Sequence, residues 1–127
     1  MPLPERPAGT PVPADAPARL CELSDDARAA VLLDRAGEAV AWSHTGASAD
    51  LAEAARDLLR AVDRAAGEQR PEIEAQVLGG SVYALRRPEF TLVAVARRSA
   101  LSSLMLYDMR AVAGEVPGAA TSQVPGG

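Results

Sequence analysis

The sequence predicts one α+β domain, an antiparallel sheet of five strands packed between helices. Three observations predict it. Two short apolar runs joined by a tight turn, residues 29–33 and Ala39–Trp42, read as a hairpin. A long amphipathic helix, residues 49–66, separates that hairpin from three further strands ending at Ala96. A second amphipathic helix then closes the pattern at Gly114.

Each element follows from its residues. The spacing predicts a short opening helix over 16–23, of about two turns, with Leu20 and Leu23 on one side. The uninterrupted run Ala29-Ala30-Val31-Leu32-Leu33 is that of a strand buried on both faces. Asp34-Arg35-Ala36-Gly37 supplies turn chemistry, and Ala39–Trp42 returns. Ser48 is the expected N-cap of the long helix, with Asp50 and Glu53 near its positive end. Leu51, Ala55, Leu58, Val62 and Ala65 form its apolar stripe, with Leu59 beside it. Arg56, Asp57, Arg60, Asp63 and Arg64 cover the other side, where Asp57 and Asp63 both stand three residues from Arg60. Gly67 stops the helix.

Glu72–Val77 alternates apolar and polar residues, the pattern of a strand with one wet face or of an edge strand. Gly79-Gly80 reads as a two-residue hairpin loop, with residues 82–85 returning. Phe90–Ala96 is again an apolar strand, interrupted only by Thr91, so it is expected at the centre of the sheet beside residues 29–33. Ser99 is the expected cap of the last helix, and Leu101, Leu104, Met105, Met109 and Val112 its buried stripe.

The two ends differ from the middle. Six of the ten prolines lie in the first 17 residues, and residues 115–127 are rich in Gly, Pro, Ala, Ser and Thr. Neither end buries enough apolar surface to offset the entropy of ordering it. The expected division is a disordered leader over 1–15, a domain over 16–114 and a disordered tail over 115–127.

Composition narrows the function. The net charge is −4, and the 13 basic residues, all arginine, alternate with acids. Nucleic-acid binding wants a basic stripe, so that class is set aside. Cys21 is the only cysteine, which rules out an intramolecular disulfide. The first residues lack the apolar segment of a secretory signal, and no stretch approaches the roughly 18 apolar residues of a membrane span. The chain therefore reads as cytoplasmic.

No catalytic constellation stands out. His44 has no histidine or cysteine partner at metal-ligand spacing, and only the hydroxyls of Ser43, Thr45 and Ser48 lie near it in sequence. Cys21 reads as a small apolar residue of the first helix. Gly79-Gly80 lacks the lysine and helix of a phosphate loop. Asp25, Asp26 and Asp34 lack calcium-loop spacing. No cofactor or metal is expected, and the chain is expected to work by presenting surfaces rather than as an enzyme.

The stretches VLLDRAGEAVAW, LAEAARDLLRAVDRAAGE, EIEAQVLGGSVYALRRPEFTLVAVA and SALSSLMLYDMRAVA, in that order, resemble the Roadblock/LC7 domain family over residues 17–114. The shared features are the apolar strand, the Asp-x-x-Gly turn at Asp34 to Gly37, and a leucine-rich helix after a small residue, here Ser99. The resemblance implies a five-stranded antiparallel sheet with the long helix on one face and the terminal helices on the other. It also implies dimerisation through the long helix and third strand, and a non-catalytic role. Members of the family scaffold or regulate Ras-like small GTPases; bacterial members join the Mgl system of cell polarity and gliding motility, on the GTPase or on another Roadblock protein. This chain departs from the family in its first helix, which is shorter and follows a proline-rich leader.

The expected self-association zone is Leu51, Ala55, Leu58, Leu59, Val62, Ile73, Ala75 and Val77, some of which must also serve the core. Ala54 and Ala61 would let a second helix approach. Arg86, Arg87, Arg97 and Arg98 at strand ends could form an electropositive rim for an acidic partner. The alternative reading is a profilin- or PAS-like sensory module holding a small molecule against Trp42, Tyr83 and Phe90. A small hydrolase would need a nucleophile–base pair that the sequence does not display.

Overall fold

Strand β5 (Phe90–Ala96) is apolar but for Thr91 because it has a layer on each side of it and a strand on each edge. The computed structural model describes residues 15–43 and 48–114. In chain order these form α1 (Asp15–Leu23), β1 (Ala27–Asp34), β2 (Ala39–Trp42), α2 (Ser48–Ala66), β3 (Glu72–Val77), β4 (Gly80–Arg86), β5 and α3 (Ser102–Ala113). The five strands lie in the order β2-β1-β5-β4-β3, and all neighbours are antiparallel. The predicted pairing of β5 with β1 is present, with Val31 opposite Val93 and Leu32 opposite Leu92.

The pleat sends alternate side chains to two cores. Ala30 and Leu32 of β1, Tyr83 and Leu85 of β4, and Phe90, Leu92, Ala94 and Ala96 of β5 meet α1 and α3 on one face. Val31, Leu33, Ile73, Ala84 and Val93 meet α2 on the other. Each fully buried Leu or Val side chain contributes about 1.5–3 kcal/mol relative to exposure. On α1 the core-facing residues are Ala16 and Leu20; Leu23, expected to share their side, is exposed at the end of the helix.

The first turn is closed by one carboxylate. Asp34 Oδ1 accepts hydrogen bonds from the amides of Ala36 and Glu38, each at 2.9 Å, and Arg56 on α2 donates to the Gly37 carbonyl at 2.9 Å. Helix α2 ends where Gly67 takes φ +76°, and its amide bonds the Asp63 carbonyl at 2.8 Å.

Four expectations need correction. The core-facing stripe of α2 is Ala52, Ala55 and Leu59, with Leu51 and Val62 half-buried at its margin; Leu58 lies outside the core and Ala65 is exposed. The helix is turned so that alanines approach the sheet. Arg60 pairs with Asp57 alone, because Asp63 is taken by Arg86. The β3–β4 loop is Leu78-Gly79 rather than Gly79-Gly80: Gly79 takes φ +88°, whereas Gly80 already pairs with Val77. Finally, Ser99 does not cap α3. The chain is still turning there, with the Ala100 amide bonded to the Arg97 carbonyl, and the helix starts after Leu101 without a side-chain cap. Met105, Met109, Val112 and Ala113 are its buried residues, while Leu101 and Leu104 are exposed.

Candidate functional site

An edge strand needs protection or a partner, because its outer backbone groups face no neighbour. Strand β3 is such an edge, paired with β4 on one side only. Its alternation makes its two faces different. Ile73, Ala75 and Val77 share the side of α2, and of these only Ile73 is fully buried. Glu72, Glu74 and Gln76 point the other way.

On that second face polar ties hold the edge to α3. Arg110 donates to both carboxylate oxygens of Glu72, at 2.6 and 2.8 Å. That hydrogen bonding holds the Glu72 carboxyl below the usual glutamate range and raises the Arg110 guanidinium. Ser102 donates to Glu74 at 2.6 Å, and its hydroxyl lies 3.4 Å from the Tyr83 phenol. Glu72 and Glu74 of the edge strand are therefore both engaged with the helix behind it.

The α2 side of the same edge stays partly open. At 100° per residue, Leu51, Leu58 and Val62 fall on one flank of α2, and Arg56, Arg60 and Asp63 on the opposite flank. Leu51, Leu58, Val62, Ala75 and Val77, together with Val82 of β4, are all half-buried. Of the predicted association residues, Ala55, Leu59 and Ile73 are buried inside the chain and serve its own core. The other five keep accessible apolar surface.

The four predicted rim arginines do not form one rim. Arg86 stands opposite Thr91 at one end of the β4–β5 pair, whereas Arg97 follows Ala96, opposite Ser81, at the other. Arg86 and Arg87 instead join Arg56 and Arg60 around a cleft between α2 and two turns, which the sequence reading missed. The three aromatics of the sensory reading do not converge either. Tyr83 and Phe90 lie in the core under α1 and α3, while Trp42, opposite Val31, faces the α2 side.

Of the remaining candidates, His44 and Thr45 lie outside the described residues, as does the side chain of Ser48. The Ser43 hydroxyl accepts the Ala30 amide at 3.0 Å. Cys21 is half-buried, and burial pushes its thiol pKa up, opposed by a hydrogen bond with Ser43. Among the described residues no three His, Cys, Asp or Glu side chains gather as a metal site, and no helix is long and apolar enough to cross a membrane.

Known structures share this arrangement. A Roadblock/LC7 domain from Streptomyces avermitilis superposes with a TM-score of 0.64 at 19% identity, covering 78% of this chain and 89% of its own. The gliding protein MglB of Thermus thermophilus gives 0.63 at 19% identity, over 87% and 92% of the two chains. The chain has the Roadblock/LC7 fold. An MglB described in a tetrameric arrangement gives 0.64 at 19% identity, over 85% and 87%. No protein-family model and no curated protein sequence matches the chain. Within the Roadblock/LC7 fold, the half-open zone described above is formed by the long helix and the third strand, the pair of elements that the sequence resemblance implicated in dimerisation.

Proposed function

We propose that this chain is a non-catalytic Roadblock-type scaffold or regulator that self-associates through α2 and β3. Its dimer, or a mixed assembly with another Roadblock protein, docks on a Ras-like small GTPase or on that GTPase's Roadblock-type regulator, in bacterial cell polarity or motility. The protein acts in the cytoplasm.

One observation carries the self-association: an open strand edge shares its sheet face with α2, whose flank at Leu51, Leu58 and Val62 the chain's own core covers only in part. Leu58 exemplifies it, being half-buried yet outside the core cluster. A second copy brought against β3 would extend the sheet and cover Leu51, Leu58, Val62, Ala75 and Val77. The fold shared with a gliding protein and with a tetrameric MglB supports the motility and assembly parts of this reading. The GTPase rests on the family resemblance in the sequence.

Light scattering on the purified protein tests the association. The expected result is a dimer or larger assembly that Leu58→Asp and Val77→Asp each reduce to a monomer with an unchanged circular dichroism spectrum. A wild-type monomer at high protein concentration would refute it. Calorimetry against the Ras-like GTPases of the same genome, each loaded with GDP or a GTP analogue, tests the docking; heat from none of them removes that part.

A further inference from the structure

We propose that the proline-rich leader, residues 1–14, docks on the outer face of α3 of its own chain. Helix α3 is apolar on two sides. Met105, Met109 and Val112 form its core side and are fully buried. At 100° per residue, Leu104, Tyr107 and Ala111 fall within an arc of about 60° on the opposite side. Leu104 is 51% exposed, Tyr107 66%, and Ala111 is exposed as well.

A helix face turned to water is ordinarily polar, and a helix apolar all round is ordinarily covered. The outer face of α2 obeys the rule, with Glu53, Asp57, Arg60 and Arg64 exposed. That of α3 does not. Its charged neighbours leave the stripe bare: Arg110 is drawn to Glu72 of β3, and Asp108 stands half-buried at the margin.

The leader is attached beside this stripe. It joins α1 at Asp15, and α1 packs against α3: Leu20 and Met109 share one core, and the Ser24 hydroxyl donates to the Met105 sulfur at 3.2 Å. Fourteen residues precede α1. In the polyproline II conformation that length spans about 43 Å, at roughly 3.1 Å per residue. Helix α1 is about 14 Å long and α3 about 18 Å, so the leader reaches every turn of the stripe.

Its composition suits the contact. Pro2, Pro4, Pro7, Pro11 and Pro13 stiffen it, which lowers the entropy lost on docking. Three residues per turn put Pro4, Pro7 and Pro13 on one edge, a ridge for the side chains of Leu104 and Tyr107. Proline ridges of this kind dock on aromatic-bearing surfaces. Because the leader is tethered, a weak contact suffices to hold it. Docking thus orders the leader while adding little to the stability of the domain. Helix α3 lies on the sheet face opposite α2, so this contact stands apart from self-association through α2 and β3.

Amide order parameters from NMR relaxation of the full chain test the contact. Thr10 and Val12 are expected above about 0.6, the boundary of flexible backbone. Tyr107→Ser should drop them below that value, whereas Leu78→Ser, at the fully exposed tip of the β3–β4 loop, should not. Changes in the leader itself, Val12→Ser or Pro7→Ser with Pro13→Ser, lie before α1 and so spare the fold. They should shift the amides of Leu104, Tyr107 and Ala111 but not that of Gly37. The proposal is overturned if Thr10 and Val12 are flexible in the wild type, if Tyr107→Ser leaves them ordered, or if the leader changes leave the α3 amides in place. It is overturned equally if the leader orders only as protein concentration rises, which would make the occupant a second copy. The same holds if Val116→Ser and Val124→Ser alone move the α3 amides, which would make it the tail.

Discussion

Arg86 holds both carboxylate oxygens of Asp63, at 2.7 and 2.9 Å, and so fastens the end of β4 to the C-terminal half of α2. Both side chains are largely shielded, 16% and 23% exposed, so the pair escapes most of the screening that weakens surface ion pairs. Arg86→Gln or Asp63→Asn should each cost about 1–3 kcal/mol in urea unfolding, because the remaining partner is left half-buried without its counter-charge. The double variant should cost less than the two single losses added together.

The Glu72–Arg110 tie makes a pH-dependent contribution. The folded Glu72 carboxyl titrates below its unfolded value, chiefly because Arg110 hydrogen-bonds its charged form. Its stabilisation is therefore complete above the ordinary glutamate range of about 4.3 and fades as pH falls through that range toward the lowered folded value. Urea midpoints measured across the acid range should fall less steeply in Glu72→Gln and in Arg110→Ala than in the wild type. Parallel curves would show that the pair contributes nothing there.

Gly80 is fixed by crowding rather than by backbone angle. A Cβ built on it would stand 2.6 Å from the Ala96 carbonyl oxygen, a backbone atom that cannot move aside alone. Gly80→Ala should destabilise by roughly 1–3 kcal/mol through displacement of β4 from β5. At Gly79 a Cβ meets nothing within 4 Å, and the cost of Gly79→Ala comes from its φ of +88°, about 1–2 kcal/mol. Thermal unfolding of both variants, read with hydrogen exchange of the β4–β5 amides, separates the causes: only Gly80→Ala should loosen that ladder.

Helix α3 offers a contrast between neighbouring apolar residues. Met109 is fully buried, whereas Leu104 is 51% exposed. Met109→Ala should cost about 2–5 kcal/mol, and Leu104→Ser should stay within about 0.5 kcal/mol of the wild type. Chemical denaturation checks both.

The strands were legible because β5 at the centre and β1 beside it bury both faces and so carry long apolar runs. The alternation in β3 marked the edge equally well. The rotation of α2 was not legible, because a stripe drawn through the large residues passes through Leu58, while the sheet takes Ala52, Ala55 and Leu59. Alanine approaches a sheet closely and gives little signal in a pattern weighted by side-chain size. The start of α3 was misread for a different reason: Ser99 has the chemistry of a cap, but the chain leaving β5 is still in the turn closed by the Ala100 amide and the Arg97 carbonyl. Neither could the arginine cleft be seen in spacing. Arg56 and Arg86 come from separate elements, and only the tertiary arrangement brings both to its walls.

The strand order also governs how the protein can be born. β1 finds β2 within one tight turn, but its other neighbour is β5, so that Val31 must wait for Val93 to be synthesised. Until then a ribosome-bound fragment carries an oily ribbon with one unzipped margin, the kind of surface that chaperones patrol and aggregates recruit. The last strand to be made is the keystone of the sheet, and a product truncated before Phe90 should be cleared by proteases rather than persist as a partly working subunit.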